Sequence, residues 1–375
     1  MKILVFCYEF PPLGGGTGNA LYHLSREWGR LGHLVTVVTS HYQGAASTEF
    51  VEGVKLIRLR VGRRHLHRGS KREMVFFGFK ATLLAGSFFR SEKPDVCVTF
   101  MTVPGGGFAP FWLKWFHGVP WVTEVRGADM PGYDPLSLKF HHWIARPFIR
   151  FSWIHSRAVI CVNRMFVELL KKNFPSVSPV VQIPNGVDSD FFVPAPQKKT
   201  DETLRLLFVG RFVDSQKNIT TLLRALAGTD KVVLCLAGAG PDEKKIRQLA
   251  STLGISGKVR FAGWLDKQEL LRAYQHADVY VSAASSEGMP NTALEAMACG
   301  LPVVLSDIAG HRELVVNGKN GFLFPSGDAN ALAQFILDLK NNPELRFEMG
   351  KRSRQKILMD HDWKKLAREH IACFS

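Results

Sequence analysis

Short apolar segments rich in β-branched residues alternate with helical patterns along the chain, and the alternation restarts after residue 200. The first half contains "KILVFCYEF", "LVTVVTS", "DVCVTF", "PWVTEV" and "AVICVN", and the second contains "LRLLFVGR", "VVLCLAG", "KVRFAG", "VYVSA" and "LPVVLSD". Strands that alternate with helices predict parallel sheets joined by right-handed crossovers. A length of 375 residues suits two domains. We predict two doubly wound α/β domains, with a ligand bound at the carboxyl ends of the strands in the cleft between them.

The composition is that of a globular protein, with 46% hydrophobic and 22% charged residues. No apolar segment approaches the roughly 20 residues of a membrane-spanning helix, and the longest candidate, Met74 to Phe89, is interrupted by Lys80. The N-terminus lacks the pattern of a signal peptide. Six scattered cysteines without a CxxC fit neither a disulfide framework nor a zinc site. We therefore expect a reduced, cytoplasmic protein without a metal centre.

The chain is strongly basic, with a net charge of +15, and most of the excess lies in its first half. Residues 1–190 contain 23 Lys and Arg against 13 Asp and Glu. Such an excess suggests an anionic partner: a nucleic acid, a phosphorylated substrate or an acidic membrane face. No nucleic-acid-binding motif accompanies the charge, so nucleic acid is not expected as a partner.

The stretch "PPLGGGTG" lies between the first strand and the first helix, where dinucleotide-binding proteins hold a pyrophosphate. It fails the G-x-G-x-x-G pattern because Asn19 occupies the third glycine position, and the second strand ends in "TSHY" without an acidic residue. A nicotinamide-dependent dehydrogenase is therefore disfavoured. Successive glycines still allow a close backbone approach to a ligand, although a simple tight turn is the alternative.

The stretch "EGMPNTALEAMACG" places Glu287 before a short helix and Glu295 about one turn inside it. Gly288 permits a sharp turn, and the following residues form the helix start, whose N–H groups attract an anion. These residues are Met289, Pro290, Asn291 and Thr292. A carboxylate repels phosphate, so the two glutamates are expected to accept hydrogen bonds from hydroxyl groups. A ligand with hydroxyls at both ends and a pyrophosphate in the middle is a nucleotide sugar.

Cations for such a pyrophosphate appear in "FVGRFVDSQKN", where Arg211 follows a strand and Lys217 comes six residues later. Each residue alone is most simply a solvated loop charge. Together with the helix start they provide what a pyrophosphate leaving group needs without a metal.

These stretches, together with "NGVD" at 185–188 and "AGAGP" at 237–241, resemble the retaining nucleotide-sugar glycosyltransferases of family 4. The resemblance extends over nearly the whole chain and implies the GT-B fold, with two Rossmann-like domains facing a deep cleft. It implies an N-terminal acceptor domain over residues 1–190, a nucleotide-sugar domain over 191–357, and a final helix from about 358 to 375 that joins the first domain. The stretch at 191–203 is expected to be the linker.

The resemblance also implies roles for individual residues. Glu287 would hold hydroxyls of the donor sugar, and Glu295 would hold the ribose. Arg211 and Lys217 would neutralise the diphosphate. The remaining donor contacts would come from Gly15 and Gly16 at the phosphates, and from Gly263 and Trp264 near the base. The donor would be a UDP-sugar rather than a GDP- or ADP-sugar, with no further cofactor.

One position departs from the pattern of the family, where many members carry a histidine before Gly-x-Asp in the N-terminal domain. Here the stretch is "TEVRGADM", with Arg126 followed by Gly127 and Asp129. An arginine cannot act as a base at neutral pH, but it can position hydroxyls or stabilise phosphate charge. Arg126 and Asp129 are therefore candidate catalytic residues beside Glu287.

Two basic stretches of the first half suggest peripheral contact with an anionic membrane. Lys55 to Arg72 contains eight Lys and Arg and no acid, which most simply indicates a mobile, solvated loop. Ser137 to Ala158 predicts a helix with a basic stripe on one side. The opposite, apolar side would contain Phe140, Trp143, Phe148, Phe151 and Ile154. A surface helix packed on the core is the alternative.

The sequence thus predicts a retaining glycosyltransferase of hexosyl or N-acetylhexosaminyl type that acts on a glycan or lipid-linked acceptor. Cell-surface polysaccharide or glycolipid synthesis at the cytoplasmic membrane face is the expected setting. A nucleotide-sugar epimerase of the same fold and a non-catalytic nucleotide- or lipid-binding protein are the alternatives.

Overall fold

A computed structural model describes residues 1–63, 65, 69–102, 105–127, 130, 139–177, 179–196 and 202–374, without the side chains of 139–144. The chain forms two compact units. The first comprises Met1–Asn185 with Trp363–Ser375, and the second comprises Gly186–Asp362. The sequence places the divisions at residues 190 and 357, a few residues away from each of these.

The first unit is built on an eight-stranded sheet in the order β3-β4-β2-β1-β5-β6-β7-β8. Only the β3–β4 pair is antiparallel among these pairings. The strands are β1 (Lys2–Phe6), β2 (Leu34–Ser40), β3 (Thr48–Val51), β4 (Val54–Leu59), β5 (Val96–Phe100), β6 (Trp121–Val125), β7 (Ala158–Cys161) and β8 (Val180–Gln182). In β1, Ile3 and Val5 join one hydrophobic cluster, and Leu4 and Phe6 join another. Burial on both faces explains why these strands read as continuous apolar runs.

Helices connect these strands and cover both faces of the sheet. They are α1 (Gly16–Arg30), α2 (Lys71–Leu83), α3 (Ala85–Glu92), α4 (Ala109–His117), α5 (Lys139–His155) and α6 (Arg164–Asn173). Ser70 begins α2 with a capping box, because its side chain accepts from the Glu73 N–H and Glu73 accepts from the Ser70 N–H. Trp28 of α1 and Phe77 of α2 lie in the two different clusters, so both faces have a core.

The second unit has a six-stranded, parallel sheet in the order β11-β10-β9-β12-β13-β14. Its strands are β9 (Leu204–Val209), β10 (Val232–Ala237), β11 (Val259–Gly263), β12 (Val279–Ser282), β13 (Val303–Ser306) and β14 (Gly321–Phe324). Its helices are α7 (Asp214–Lys217), α8 (Ile219–Ala227), α9 (Glu243–Thr252), α10 (Lys267–His276), α11 (Asn291–Ala298), α12 (Ala309–Arg312), α13 (Ala329–Asn341) and α14 (Pro343–Asp360). The predicted doubly wound, parallel α/β architecture of both domains is confirmed.

The last helix, α15 (Trp363–Phe374), belongs to the first unit and packs on α1. Its His370 lies 2.8 Å from Glu124 of β6 through Nε2, while Nδ1 lies 2.7 Å from the Leu366 carbonyl oxygen. Both ring nitrogens of His370 therefore face acceptor oxygens. Arg126 also donates to Glu124, at 2.7 Å. Burial would raise the pKa of Glu124, but the charges of Arg126 and His370 outweigh it and hold that pKa at about 2.

The basic stretch Lys55 to Arg72 is not the solvated loop that its composition suggests. Lys55 lies in β4 and forms an ion pair with Glu92 at 2.8 Å. The Arg58 guanidinium, which is almost fully buried, pairs with Glu49 of the adjacent strand β3. Lys71 begins α2. The prediction was wrong for Lys55 and Arg58, because the acids that pair with them come from other elements. Arg64 and residues 66–68 lie outside the described residues.

Helix α5 buries a different side from the predicted one. Ile149 and Trp153 are in the core, whereas Ile154 is exposed. Phe148 and Phe151 are half-buried and contact rings of the preceding helical segment, with Phe148 4.9 Å from Phe108. The other residues of the predicted apolar side, Phe140 and Trp143, fall among the side chains that are not described.

The stretch at 191–203 is part of the second unit and not a linker between domains. Phe192 is buried, and its ring packs 5.8 Å from that of Tyr274. Arg354 of α14 donates to the Phe192 carbonyl oxygen at 2.7 Å. The proline-rich composition therefore reflects a segment fixed by side-chain and backbone contacts; residues 197–201 lie outside the described residues.

Replacement of Glu124 by Gln should lower the free energy of unfolding by about 3–5 kcal/mol, because it leaves the buried Arg126 guanidinium without its counter-charge and removes the carboxylate that faces His370. Denaturant unfolding measures this change. The matched control is Glu168→Gln, which removes an exposed ion pair with Arg164 and should cost less than about 1 kcal/mol. Equal costs for the two variants would contradict the stabilising role of Glu124.

Candidate functional site

The second sheet reverses its winding direction between β9 and β12. The chain runs outward from β9 to β10 and β11, and then returns to place β12 on the other side of β9. In open α/β sheets, ligands bind at the carboxyl ends of the strands beside such a reversal. The segments at this position are those that follow β9, with Arg211 and Lys217, and β12, with Glu287.

Hydrogen bonds join these two segments to each other. The Ser285 N–H donates to the Gln216 carbonyl oxygen at 2.8 Å, and the Ser285 hydroxyl donates to the Ser215 carbonyl oxygen at 3.1 Å. Gly310 supports the β12 segment from another side, because a Cβ at this position would overlap the carbonyl oxygens of Glu287 and Gly288. The backbone that presents Lys217 and Glu287 is therefore fixed at several points.

Lys217 and Glu287 form an ion pair through Nζ and Oε1. Their side chains are only 18% and 15% exposed, so water and salt weaken the attraction within this pair less than they would for a surface pair. Arg211, just after β9, has an exposed side chain. The structure thus brings one carboxylate and two cations of the sequence prediction together at the carboxyl ends of β9 and β12.

The first turn of α11 lies next to this pair. The helix begins at Asn291, with Pro290 as its N-cap and no acidic side chain in the first turn. The Thr292 hydroxyl lies 2.8 Å from the hydroxyl of Tyr280, a buried residue of β12. Met289 is buried and anchors the loop before the helix. A first turn without an acidic residue suits an anion through the helix dipole.

Glu295 follows one turn later and is held by a second buried tyrosine. Tyr274 of α10 donates from its hydroxyl to Glu295 Oε2 at 2.8 Å and to the Thr292 carbonyl oxygen at 3.1 Å. Burial raises the pKa of Glu295 to about 7, although the Tyr274 hydrogen bond and the charge of Lys267 oppose this. Glu295 is therefore a carboxyl group that changes charge near neutral pH.

The residues predicted near the base lie farther along the same edge. Gly263 ends β11, two strands away from β9, and its carbonyl oxygen accepts from the Gly238 N–H at 2.7 Å. Trp264 follows and is 68% exposed. In "AGAGP", a Cβ at Gly238 would overlap the Gly210 carbonyl oxygen. The glycine there serves the close packing of the loops after β10 and β9.

Three residues near this site escaped the sequence analysis: Tyr274, Tyr280 and His311. A buried tyrosine needs a partner for its hydroxyl, which is the signal that could have drawn attention to the first two. His311 of α12 is fully buried, with Nδ1 2.8 Å from the Ser306 carbonyl oxygen. Burial lowers its pKa, so the ring is neutral.

The predicted glycines of the first unit lie at the carboxyl end of β1. Gly15 is the N-cap of α1, and Gly16 is the first residue of that helix. The Gly15 N–H donates to Glu9 Oε2 at 3.3 Å, and Gly14, with a φ of +91°, has no room for a side chain beside Glu9. The loop thus packs around Glu9, which the sequence analysis did not single out.

Arg126 follows β6 and makes short contacts with protein groups. Besides Glu124, its guanidinium donates to Asn185 at 2.5 Å, and it lies 4.8 Å from the Phe100 ring centroid. Its side chain is only 4% exposed. This geometry gives Arg126 a structural role, whereas its predicted catalytic role stays a prediction. Asp129 lies outside the described residues.

Within the described residues, no three His, Cys, Asp or Glu side chains converge as metal ligands. No helix in the described part of the chain is both long and apolar enough to cross a membrane.

Two family models match the chain. "Glycosyl transferases group 1" matches residues 190–356, and "Glycosyl transferase 4-like domain" matches residues 15–186. An uncharacterised glycosyltransferase of Methanocaldococcus jannaschii is 30% identical over 281 residues, which are 75% of each chain.

Solved structures resemble the fold over nearly the full length. Sucrose-phosphate synthase from Thermosynechococcus elongatus aligns with a TM-score of 0.85 at 22% identity, over 99% of this chain and 98% of its own. Anabaena HepE in complex with UDP-glucose aligns with a TM-score of 0.74 at 17% identity, over 99% and 98%. The expected GT-B fold class is confirmed.

The raised pKa of Glu295 predicts a pH-dependent difference in stability between the protein and its Glu295→Gln variant. The folded state keeps this proton up to about pH 7, whereas the ordinary value is 4.5. The stabilisation that comes from the proton on Glu295 is fully present below pH 4.5 and disappears as the pH rises to 7. The wild type should therefore lose up to about 3 kcal/mol relative to Glu295→Gln between pH 4.5 and 7. Parallel pH profiles of denaturant unfolding would contradict this assignment.

Proposed function

We propose that this chain, which belongs to the group 1 glycosyltransferases, is a retaining enzyme that transfers a sugar from a UDP-sugar to a glycan or lipid-linked acceptor. The observation that carries the proposal is the Lys217–Glu287 ion pair at the reversal of the second sheet. It places a cation for phosphate and a carboxylate for hydroxyl groups within contact of each other. In a nucleotide sugar the diphosphate is bonded directly to the sugar, so adjacent groups for phosphate and for hydroxyls suit this part of the ligand.

The phosphates are assigned to Arg211, Lys217 and the first turn of α11. Arg211 and Lys217 stabilise the charge that develops on the diphosphate as it departs, as fixed cations do in other phosphoryl sites. The amides of Asn291 and Thr292 add the positive end of the helix dipole. In this proposal these groups supply the neutralisation without requiring a divalent metal.

The sugar is assigned to Glu287, which accepts hydrogen bonds from its hydroxyl groups. In the transfer step the acceptor oxygen bonds to the anomeric carbon while the bond from that carbon to the UDP oxygen breaks. The departing diphosphate takes the acceptor proton on the same face, so the configuration is retained. The two glutamates therefore need not act as the acid and nucleophile of a glycosidase.

The nucleoside is assigned to Glu295 at the ribose and to the loop at Gly263 and Trp264 near the base. A ribose hydroxyl donates to a carboxylate, so binding favours the deprotonated form of Glu295. The UDP-glucose complex of HepE, which shares the fold, supports uridine as the base. An exposed tryptophan suits stacking on such a base.

Hexosyl and N-acetylhexosaminyl donors are both compatible with these contacts. Gly15, Gly16, Arg126 and Asp129 of the first unit are also proposed to take part in the reaction. We place the enzyme at the cytoplasmic membrane face, where it would build a cell-surface glycan or glycolipid. The basic excess of the first half supports this setting.

A thermal-shift panel tests the donor assignment. The ligands are UDP, GDP, ADP, CMP and NAD, each with EDTA and with magnesium. A ligand at 100 times its dissociation constant stabilises the fold by about 2.7 kcal/mol. A response to UDP that persists in EDTA supports the proposal. A response to NAD alone, or to none of the five, contradicts it; donor turnover without any acceptor would instead favour an epimerase.

Glu287→Gln should lower sugar transfer from UDP-glucose or UDP-N-acetylglucosamine by at least about 100-fold, because the neutral amide replaces the acceptor of the sugar hydroxyl bonds. UDP release in the presence of an acceptor glycan measures this change. The control is Glu243→Gln, which removes a solvent-exposed pair with Arg247 in the same unit and should leave transfer unchanged. Full activity of Glu287→Gln would remove Glu287 from the reaction.

A further inference from the structure

The first unit exposes a set of large apolar side chains on α2, α4 and their neighbouring turns, and these two helices contact each other. We call it the aromatic face, and it consists of Val75, Phe76, Phe79, Leu83, Leu84, Phe108, Trp115 and Phe116. Trp115 is 71% exposed, Val75 70%, Leu83 67% and Phe116 65%. Exposed apolar residues are ordinary when single, but a contiguous group marks a surface that binds something.

Backbone contacts make the two helices one surface. Gly107, in the turn before α4, packs on α2 so closely that a Cβ there would overlap the Gly78 carbonyl oxygen. The Phe108 N–H donates to the Thr82 hydroxyl at 2.9 Å, which places Phe108 beside the last turn of α2. On α2, Val75, Phe79 and Leu83 recur every four residues and so share one side of the helix.

The charges around the aromatic face are mainly positive. Helices α2, α3 and α4 together contain five Lys and Arg and two Glu. Both acids are engaged within the protein: Glu73 accepts from Tyr8 and from the Ser70 N–H, and Glu92 accepts from Lys55 and Thr36. The field that this surface presents to a partner is therefore positive.

We propose that the aromatic face docks on the surface of an anionic lipid bilayer, with Phe79, Trp115 and Phe116 entering the interfacial layer. Helices that lie on anionic membranes combine Trp, Phe and Leu with bordering Lys and Arg. Protein interfaces, in contrast, are depleted of Lys. Lys80 lies 4.9 Å from the Phe76 ring centroid, so a cation lies beside an aromatic ring of this face. Lys114, in contrast, donates to the His155 carbonyl oxygen at 2.7 Å.

This surface shares only Lys71 and Arg72 with the two basic stretches that the sequence suggested. Lys55 and Arg58 are held in internal ion pairs, and α5 packs on the core through Ile149 and Trp153. The inference adds to the proposed function the surface that contacts the membrane. It rests on that function in one respect, namely that a lipid-linked acceptor is located in the membrane.

Vesicle co-sedimentation tests the proposal with the full chain. Wild-type protein should bind vesicles of phosphatidylglycerol and phosphatidylcholine at least about tenfold more tightly than vesicles of pure phosphatidylcholine, and this preference should weaken in high salt. The double variant F79S/W115S should lose at least about tenfold in affinity for the anionic vesicles. The matched control is Phe347→Ser, which replaces a side chain of 70% exposure in the second unit and should bind like the wild type.

Wild-type protein that ignores anionic vesicles, or a double variant that binds them equally well, would overturn the proposal. Light scattering after gel filtration tests whether a second copy of this chain binds the aromatic face instead. A wild-type dimer that F79S/W115S converts to a monomer would assign the aromatic face to that second copy. The response of F79S/W115S to UDP in thermal shift should remain that of the wild type. Loss of vesicle binding with the UDP response intact thus separates this inference from the proposed function.

Discussion

The ion pair between Lys217 and Glu287 links the two chain segments on which the site depends. One segment follows β9 and the other follows β12, and these strands lie where the sheet reverses its winding. A partly buried pair costs desolvation and is retained only where its geometry is well fixed. Here Ser285 and Gly310 fix it, through hydrogen bonds to the α7 segment and close contact with the Glu287 backbone. The proposed assignment of Lys217 to the phosphates and Glu287 to the sugar follows from this one contact.

Each unit places a buried carboxyl group beside its strand ends, but their surroundings push the two pKa values apart. Glu124 lies beside Arg126 and His370, and its interactions with them hold its pKa at about 2 and keep it charged. Glu295 has a tyrosine hydroxyl as its near partner, and burial raises its pKa to about 7. The first carboxylate therefore ties α15 and Arg126 to β6, whereas the second remains available for a ligand that donates hydrogen bonds.

Much of this organisation could be predicted from the sequence, because the strands that carry the site are continuous apolar runs and their order follows from the alternation with helices. The neighbourhood of Glu287, Lys217 and Arg211 was predictable for the same reason. The pairing of Arg58 with Glu49 was not, since it depends on the register of the short β3–β4 hairpin, and a cation paired across strands looks like a solvated one. The aromatic face was equally hidden, because exposure of Phe79 or Trp115 depends on how α2 and α4 pack.

The most direct measurement of the central claim is a calorimetric titration of UDP into the wild type and Lys217→Gln. If Lys217 contacts the diphosphate, loss of a charge-assisted hydrogen bond should weaken binding by roughly tenfold or more, about 1.5–3 kcal/mol. The control is Lys231→Gln, which removes an exposed pair with Glu202 in the same unit and should leave the affinity unchanged. Unaltered UDP affinity in Lys217→Gln would contradict the assignment of this sheet edge to the diphosphate.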